Sequence, residues 1–84
     1  MSQAFPSIVP SIGYNELVKF LNDQNVYFFR QAKGSHEVWK HKVTGKKTTV
    51  VNHGKAICKR KTLKRTLEAV GLDIKDIINW RKYR

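Results

Sequence analysis

Val26-Tyr-Phe-Phe-Arg-Gln-Ala-Lys-Gly-Ser-His-Glu-Val-Trp-Lys-His-Lys-Val-Thr-Gly-Lys-Lys-Thr-Thr-Val-Val51 is the stretch whose reading decides the fold. Val26 to Gln31 is aromatic and β-branched, Ser35 to Lys42 sets Val38 and Trp39 among charged residues, and Lys47 to Val51 has high β propensity. Gly34 and the run Val43-Thr-Gly-Lys46 interrupt these segments with turn residues. The spacing predicts three strands in an antiparallel meander, with Gly34 supplying the turn before the second.

On either side of this stretch the period changes from two to about 3.6. Upstream, Tyr14, Leu17, Phe20 and Leu21 mark an amphipathic helix over residues 14–24, with Gly13 as N-cap and Glu16 in its first turn. Downstream, Asn52 to Arg60 reads as a basic loop around Gly54. Leu63, Leu67 and Val70 then mark a second helix closed by Gly71. Asp73 opens a short last helix, with Asp76 at its third position, an isoleucine stripe at 74, 77 and 78, and Arg81 and Lys82 in its last turn. Residues 1–12 contain Pro6 and Pro10 and no period, and are expected to form an extended arm leading into one domain over 13–84. The fold class is α+β, a two-layer α-β-β-β-α sandwich with an added C-terminal helix. Its helices cover one face of the sheet and leave the other open.

Alternation assigns the two faces. A buried indole is the largest contribution available to so small a core, so the side of Trp39 is assigned to the helices, together with Ser35, Glu37 and His41. His36, Val38, Lys40 and Lys42 then fall on the open face. On the third strand Thr48 and Val50 point inward, and Lys47 and Thr49 outward. Tyr27, Phe28 and Phe29 offer rings that stack on bases, but adjacent aromatics on a strand are more often core and edge packing.

Charge is as unevenly distributed as hydrophobicity. The 84 residues carry 17 Lys and Arg against 6 Asp and Glu, a formal net charge of +11. Between Lys33 and Arg65 stand eleven basic residues and one acid, Glu37, so this third of the chain holds +10 of the total. Such a block suits a polyanionic partner. Nucleic acid is favoured over an anionic membrane, because the charge falls in strands and loops and no stretch is apolar enough to span a bilayer. The single cysteine, Cys58, excludes an intramolecular disulfide, fits a reducing, cytoplasmic setting, and lacks a nucleophile's context. His36, His41 and His53 lack metal-ligand spacing, so neither a metal nor a cofactor is expected.

An exposed imidazole among lysines matches one chemistry well. RNA carries its own nucleophile, the 2′-hydroxyl, so cleavage needs a base, an acid and cations around the phosphorane, with no obligatory metal. From the residues alone, His36 is also consistent with an ordinary surface histidine, and the basic block with plain phosphate binding. A non-catalytic RNA-binding module and a small DNA-binding protein therefore stay open.

Three stretches resemble the HicA toxin family of type II toxin–antitoxin systems. They are Glu16-Leu-Val-Lys-Phe-Leu21 leading to the Phe-x-Arg-Gln-x-x-Gly-Ser-His run from Phe28 to His36; Thr48-Thr-Val-Val-Asn-His-Gly-Lys55; and Thr62-Leu-Lys-Arg-Thr-Leu-Glu-Ala-Val-Gly-Leu72. The resemblance implies a fold like the double-stranded RNA-binding domain, ribosome-independent cleavage of mRNA, and a HicB-type antitoxin as partner. It also implies that His36 is the catalytic residue and that Gly34 has a structural role in the turn. Lys33, Lys40, Lys42, Lys47, Lys55, Lys59, Arg60 and Lys61 are the candidate RNA-binding residues, taken from the basic block.

Overall fold

The computed structural model describes residues 11–83, and their element order is the expected one. Helix α1 spans Tyr14–Asp23, strands β1, β2 and β3 span Val26–Gln31, His36–His41 and Lys47–Val51, and helices α2 and α3 span Arg60–Glu68 and Ile74–Tyr83. The strands form one antiparallel sheet in the order β1-β2-β3. Residues 1–10 of the expected arm lie outside the described residues. Ile12, which its sequence context put in that arm, is only 1% exposed and belongs to the core.

Each helix buries the stripe that its period dictates. Leu17, Phe20 and Leu21 of α1, Leu63 and Leu67 of α2, and Ile77 of α3 pack with Val26, Trp39 and Val50 of the sheet. Glu37, Trp39, Thr48 and Val50 are buried, so the helices cover the predicted face of β2 and β3. The second helix ends at Glu68, earlier than Val70 suggests. Gly71 closes its last turn with φ 78°, a left-handed conformation that favours glycine, and the Leu72 amide bonds back to the Leu67 carbonyl. The stripe on α3 is only partly inward, because Ile78 is exposed.

Two side-chain devices set the positions of the helices. Thr48 Oγ1 donates to the Thr66 carbonyl at 2.7 Å and Thr66 Oγ1 donates to the Thr49 carbonyl at 2.9 Å, which fastens α2 along β3. At the other side, Arg81 of α3 forms a two-pronged contact with Glu16 of α1, with Nη2 2.7 Å from Oε1, and Trp80 Nε1 donates to Asp23 at 2.7 Å. The Trp80 indole also meets Phe20 edge to face at 5.5 Å. In α3 the Asp76 carboxylate accepts the Asp73 amide at 2.8 Å.

Of the three adjacent aromatics, Phe28 packs edge to face on Trp39 of the core at 6.1 Å, as expected of edge packing, whereas none of the three is buried. Val26 is the only buried residue of β1, and Tyr27, Phe28 and Phe29 are 38%, 47% and 40% exposed. The reason is that β1 is an edge strand whose Tyr27 and Phe29 lie on the face that no helix covers, and a bulge also interrupts it. Phe28 pairs with Trp39 and Arg30 with Val38, so Phe29 is an extra residue in the ladder of an edge strand.

Candidate nucleic-acid interface

The β1–β2 connection presents His36. Gly34 adopts φ 62°, and Gln31 Nε2 donates to the carbonyls of Gly34 and His36 at 3.1 and 2.9 Å, tying the turn to the strand that precedes it. His36 is exposed, and its Nδ1 lies 3.2 Å from the Lys33 carbonyl. A carbonyl only accepts, so this contact requires the proton on Nδ1, and in the neutral ring Nε2 is then the nitrogen with the lone pair. The role of Lys33 in this contact comes through its backbone.

His36 pairs with Val51 and lines a cleft of about 360 Å³ with Thr48, Thr49, Val51, Thr62, Arg65 and Thr66. The cleft therefore spans the β3 edge, between the open face of the sheet and α2. The threonine clasp brings Arg65, with Thr62, alongside the histidine. Sequence reasoning placed Arg65 in the basic block but did not select it for the site. The helical spacing of Thr62 and Arg65, three apart on the polar face beside buried Leu63 and Thr66, was the signal available.

The candidate lysines divide into groups. Lys40 and Lys47 are cross-strand partners on the open face, and their Nζ atoms lie 5.0 and 4.9 Å from the centroid of the Phe29 ring. Lys59 lines a second cleft of about 190 Å³ with Leu17, Val51, His53, Cys58, Thr62, Leu63 and Thr66. This cleft shares Val51, Thr62 and Thr66 with the first, so the two lie side by side along the β3–α2 seam. Lys42, Lys55, Arg60 and Lys61 are exposed and line neither cleft. Lys42 falls past the end of β2, in the turn, and so does not share the strand alternation that put it beside Lys40.

The other titratable candidates have structural partners. His41 Nδ1 accepts the amides of Val43 and Thr44 at 3.1 and 3.2 Å and so holds the β2–β3 turn. Glu37, the one acid of the basic block, is 7% exposed and accepts Tyr14 Oη at 2.9 Å and Trp39 Nε1 at 2.9 Å. Burial, then the hydrogen bond and negative charge of Glu37, push the Tyr14 phenol up to about 12. Burial likewise pushes the Cys58 thiol up, a backbone hydrogen bond partly opposing it, which disfavours the reactive thiolate. Among the described residues no group of three or more His, Cys, Asp or Glu side chains is positioned to hold a metal ion. No helix among them is long and apolar enough to cross a membrane.

The model of the HicA toxin family, described as the HicA toxin of bacterial toxin–antitoxin, matches residues 14–72. No curated protein and no solved structure is significantly similar to the chain. The matched span runs from the start of α1 through all three strands and α2 and includes both clefts, while α3 lies beyond it. A match over more than two thirds of the sequence, on a helix, three antiparallel strands and a helix in this order, shows that the chain belongs to the HicA toxin family, toxins of toxin–antitoxin systems.

Proposed function

We propose that the toxin is an endoribonuclease that cuts mRNA, independently of the ribosome, by acid–base catalysis at His36. The observation that carries this reading is the pairing of His36 with Arg65 in one cleft, with Nδ1 of the imidazole engaged by the Lys33 carbonyl. Nε2 is then the base that takes the 2′-hydroxyl proton. The O2′–phosphorus bond forms as the bond to the 5′-oxygen breaks, and the departing oxygen takes its proton from solvent or a lysine. The guanidinium of Arg65 and the hydroxyls of Thr49 and Thr62 supply positive charge and donors for the non-bridging oxygens, and the lysines around the cleft hold the flanking phosphates.

The products are a 2′,3′-cyclic phosphate and a free 5′-hydroxyl. Purified toxin incubated with RNA in EDTA tests the reading. Fragments with those ends are the expected result, and His36→Ala yields them about 10²- to 10⁴-fold more slowly while still binding RNA. Wild-type protein that retains RNA in a salt-sensitive way without cutting it is instead an RNA-binding module with the same fold. Cleavage by His36→Ala at the wild-type rate refutes the assignment of the base.

The antitoxin partner is of the HicB type, in this reading, and silences the toxin in the cytoplasm by laying acidic groups over the basic surface. Inside the block the one acid, Glu37, is turned into the core, so the field a partner meets is nearly all of one sign.

A further inference from the structure

The bulge at Phe29 has a consequence for the open face. Pairing places Tyr27, Lys40 and Lys47 in one row across the three strands, and Arg30, Val38 and Thr49 in the next. His36 and Val51 follow on the same side. Without the extra residue, Phe29 would take the place opposite Val38 and Arg30 would alternate toward the helix layer. With it, Arg30 pairs with Val38 on the open side, and the two lysines that reach the Phe29 ring put that ring on the same side. Tyr27 and Phe29 are 38% and 40% exposed there, and no helix covers them. Exposed rings in a field of unpaired cations meet the requirements of single-stranded nucleic acid: a π-face for each base and charge for the backbone.

We propose that Tyr27 and Phe29, flanked by Lys40 and Lys47, form a platform on which unpaired bases of the RNA stack, apart from the cleft where it is cut. The proposal rests on the reading of the chain as an RNA-cleaving toxin and adds a determinant of which RNA it takes. His36 and Lys40 are four residues apart on β2, about 13 Å at the rise of a strand. At about 3.4 Å per stacked nucleotide this is a span of a few nucleotides. The platform therefore engages bases that flank the cut phosphate on one side. It requires them unpaired, because a duplex hides the faces of its bases. Four-stranded RNA-binding sheets use surface aromatics in this way, whereas duplex binding relies on phosphate and 2′-hydroxyl contacts.

The test uses the full chain carrying His36→Ala, so that the RNA survives, and compares a fluorescent single-stranded RNA with a duplex of the same sequence. Phe29→Ala is expected to weaken single-strand binding by about 5- to 100-fold, to leave duplex affinity unchanged, and to keep the slope of log affinity against log salt. Phe29→Trp retains the affinity. Lys47→Ala lowers the single-strand slope by about 0.7, the value for one lost phosphate contact. Unchanged single-strand affinity in both Phe29→Ala and Tyr27→Ala overturns the platform, as does an equal loss for strand and duplex. So does a Phe29→Ala protein that keeps its RNA affinity and loses only its grip on an acidic antitoxin. The two readings fail separately. Wild-type protein that cuts no RNA while Phe29→Ala loses single-strand affinity refutes the nuclease and keeps the platform. Cleavage with full Phe29→Ala affinity does the reverse.

Discussion

The α1–α3 side and the β3–α2 seam treat charge in opposite ways. On the first, acids are used up in construction: Glu16 holds Arg81, Asp23 holds the Trp80 indole, and Asp76 caps α3. On the second, the bases of the Lys33–Arg65 block face solvent, and the acid among them is committed to Tyr14 and Trp39 in the interior. One half of the molecule spends its electrostatics on holding together, and the other leaves them unsatisfied for a partner. Stability and activity should therefore respond to different substitutions.

His36→Ala gives the sharpest separation. Cleavage should fall by about 10²- to 10⁴-fold, while the melting temperature stays put, since the exposed ring contributes only its contact with Lys33. A large drop in melting temperature would mean that the turn depends on the imidazole.

Glu37→Ala should do the opposite. It leaves the Tyr14 hydroxyl and the Trp39 indole without their acceptor, at a cost of about 2–4 kcal/mol. In a domain of this size that corresponds to a fall of roughly 10–25 °C in melting temperature, and RNA affinity measured well below the transition should hold. Arg65→Ala belongs on the other side of the divide. Losing one charge-assisted contact should lower kcat/KM by roughly 10- to 100-fold without unfolding α2, which is held by Leu63, Thr66 and Leu67.

Tyr14 offers a reading through pH. Its folded-state pKa of about 12 exceeds the ordinary 10.0, so between those values the native state keeps a proton that the unfolded chain has released. Stability is full below pH 10 and declines as pH rises toward 12. Absorbance titration should find one of the three tyrosines ionising near pH 12, and Glu37→Gln should bring it down by removing the neighbouring negative charge. The smallest effect is that of Glu16→Ala. Breaking a partly exposed ion pair should cost about 0.5–1 kcal/mol, diminish in high salt, and leave cleavage unchanged.

Much of this division was legible in the sequence, because local pattern carries it. The bounds of β1 and β3 follow from β propensity between turn residues, and the orientation of β2 follows from one tryptophan. The histidine could be singled out as the exposed imidazole of a basic strand, and the family resemblance pointed to the same residue. What escaped depends on neighbouring elements. The bulge that turns Arg30 to the open face is a property of the register between β1 and β2, and neither strand encodes it alone. Arg65 joins the cleft only because Thr66 clasps β3, a contact across 17 residues of sequence. Ile12 looked like linker because its partners, including the Cys58 amide on its carbonyl, come from the loop ahead of α2.

The bond between Thr66 and the Thr49 carbonyl also has a consequence for the edge of the sheet. Thr49 and Val38 form one of the pairs that exchange no hydrogen bonds, since the bonded positions on β2 are Ser35 and His41, each an odd number of residues away from Val38. The Thr49 carbonyl thus points off the outer edge of β3, where a sheet otherwise offers a template for another chain. The hydroxyl of Thr66 occupies that acceptor and stands where an intruding strand would donate. A single side chain thereby withholds one edge acceptor of β3 from edge-to-edge pairing, and the residue that supplies it belongs to the helix that forms the wall of the cleft.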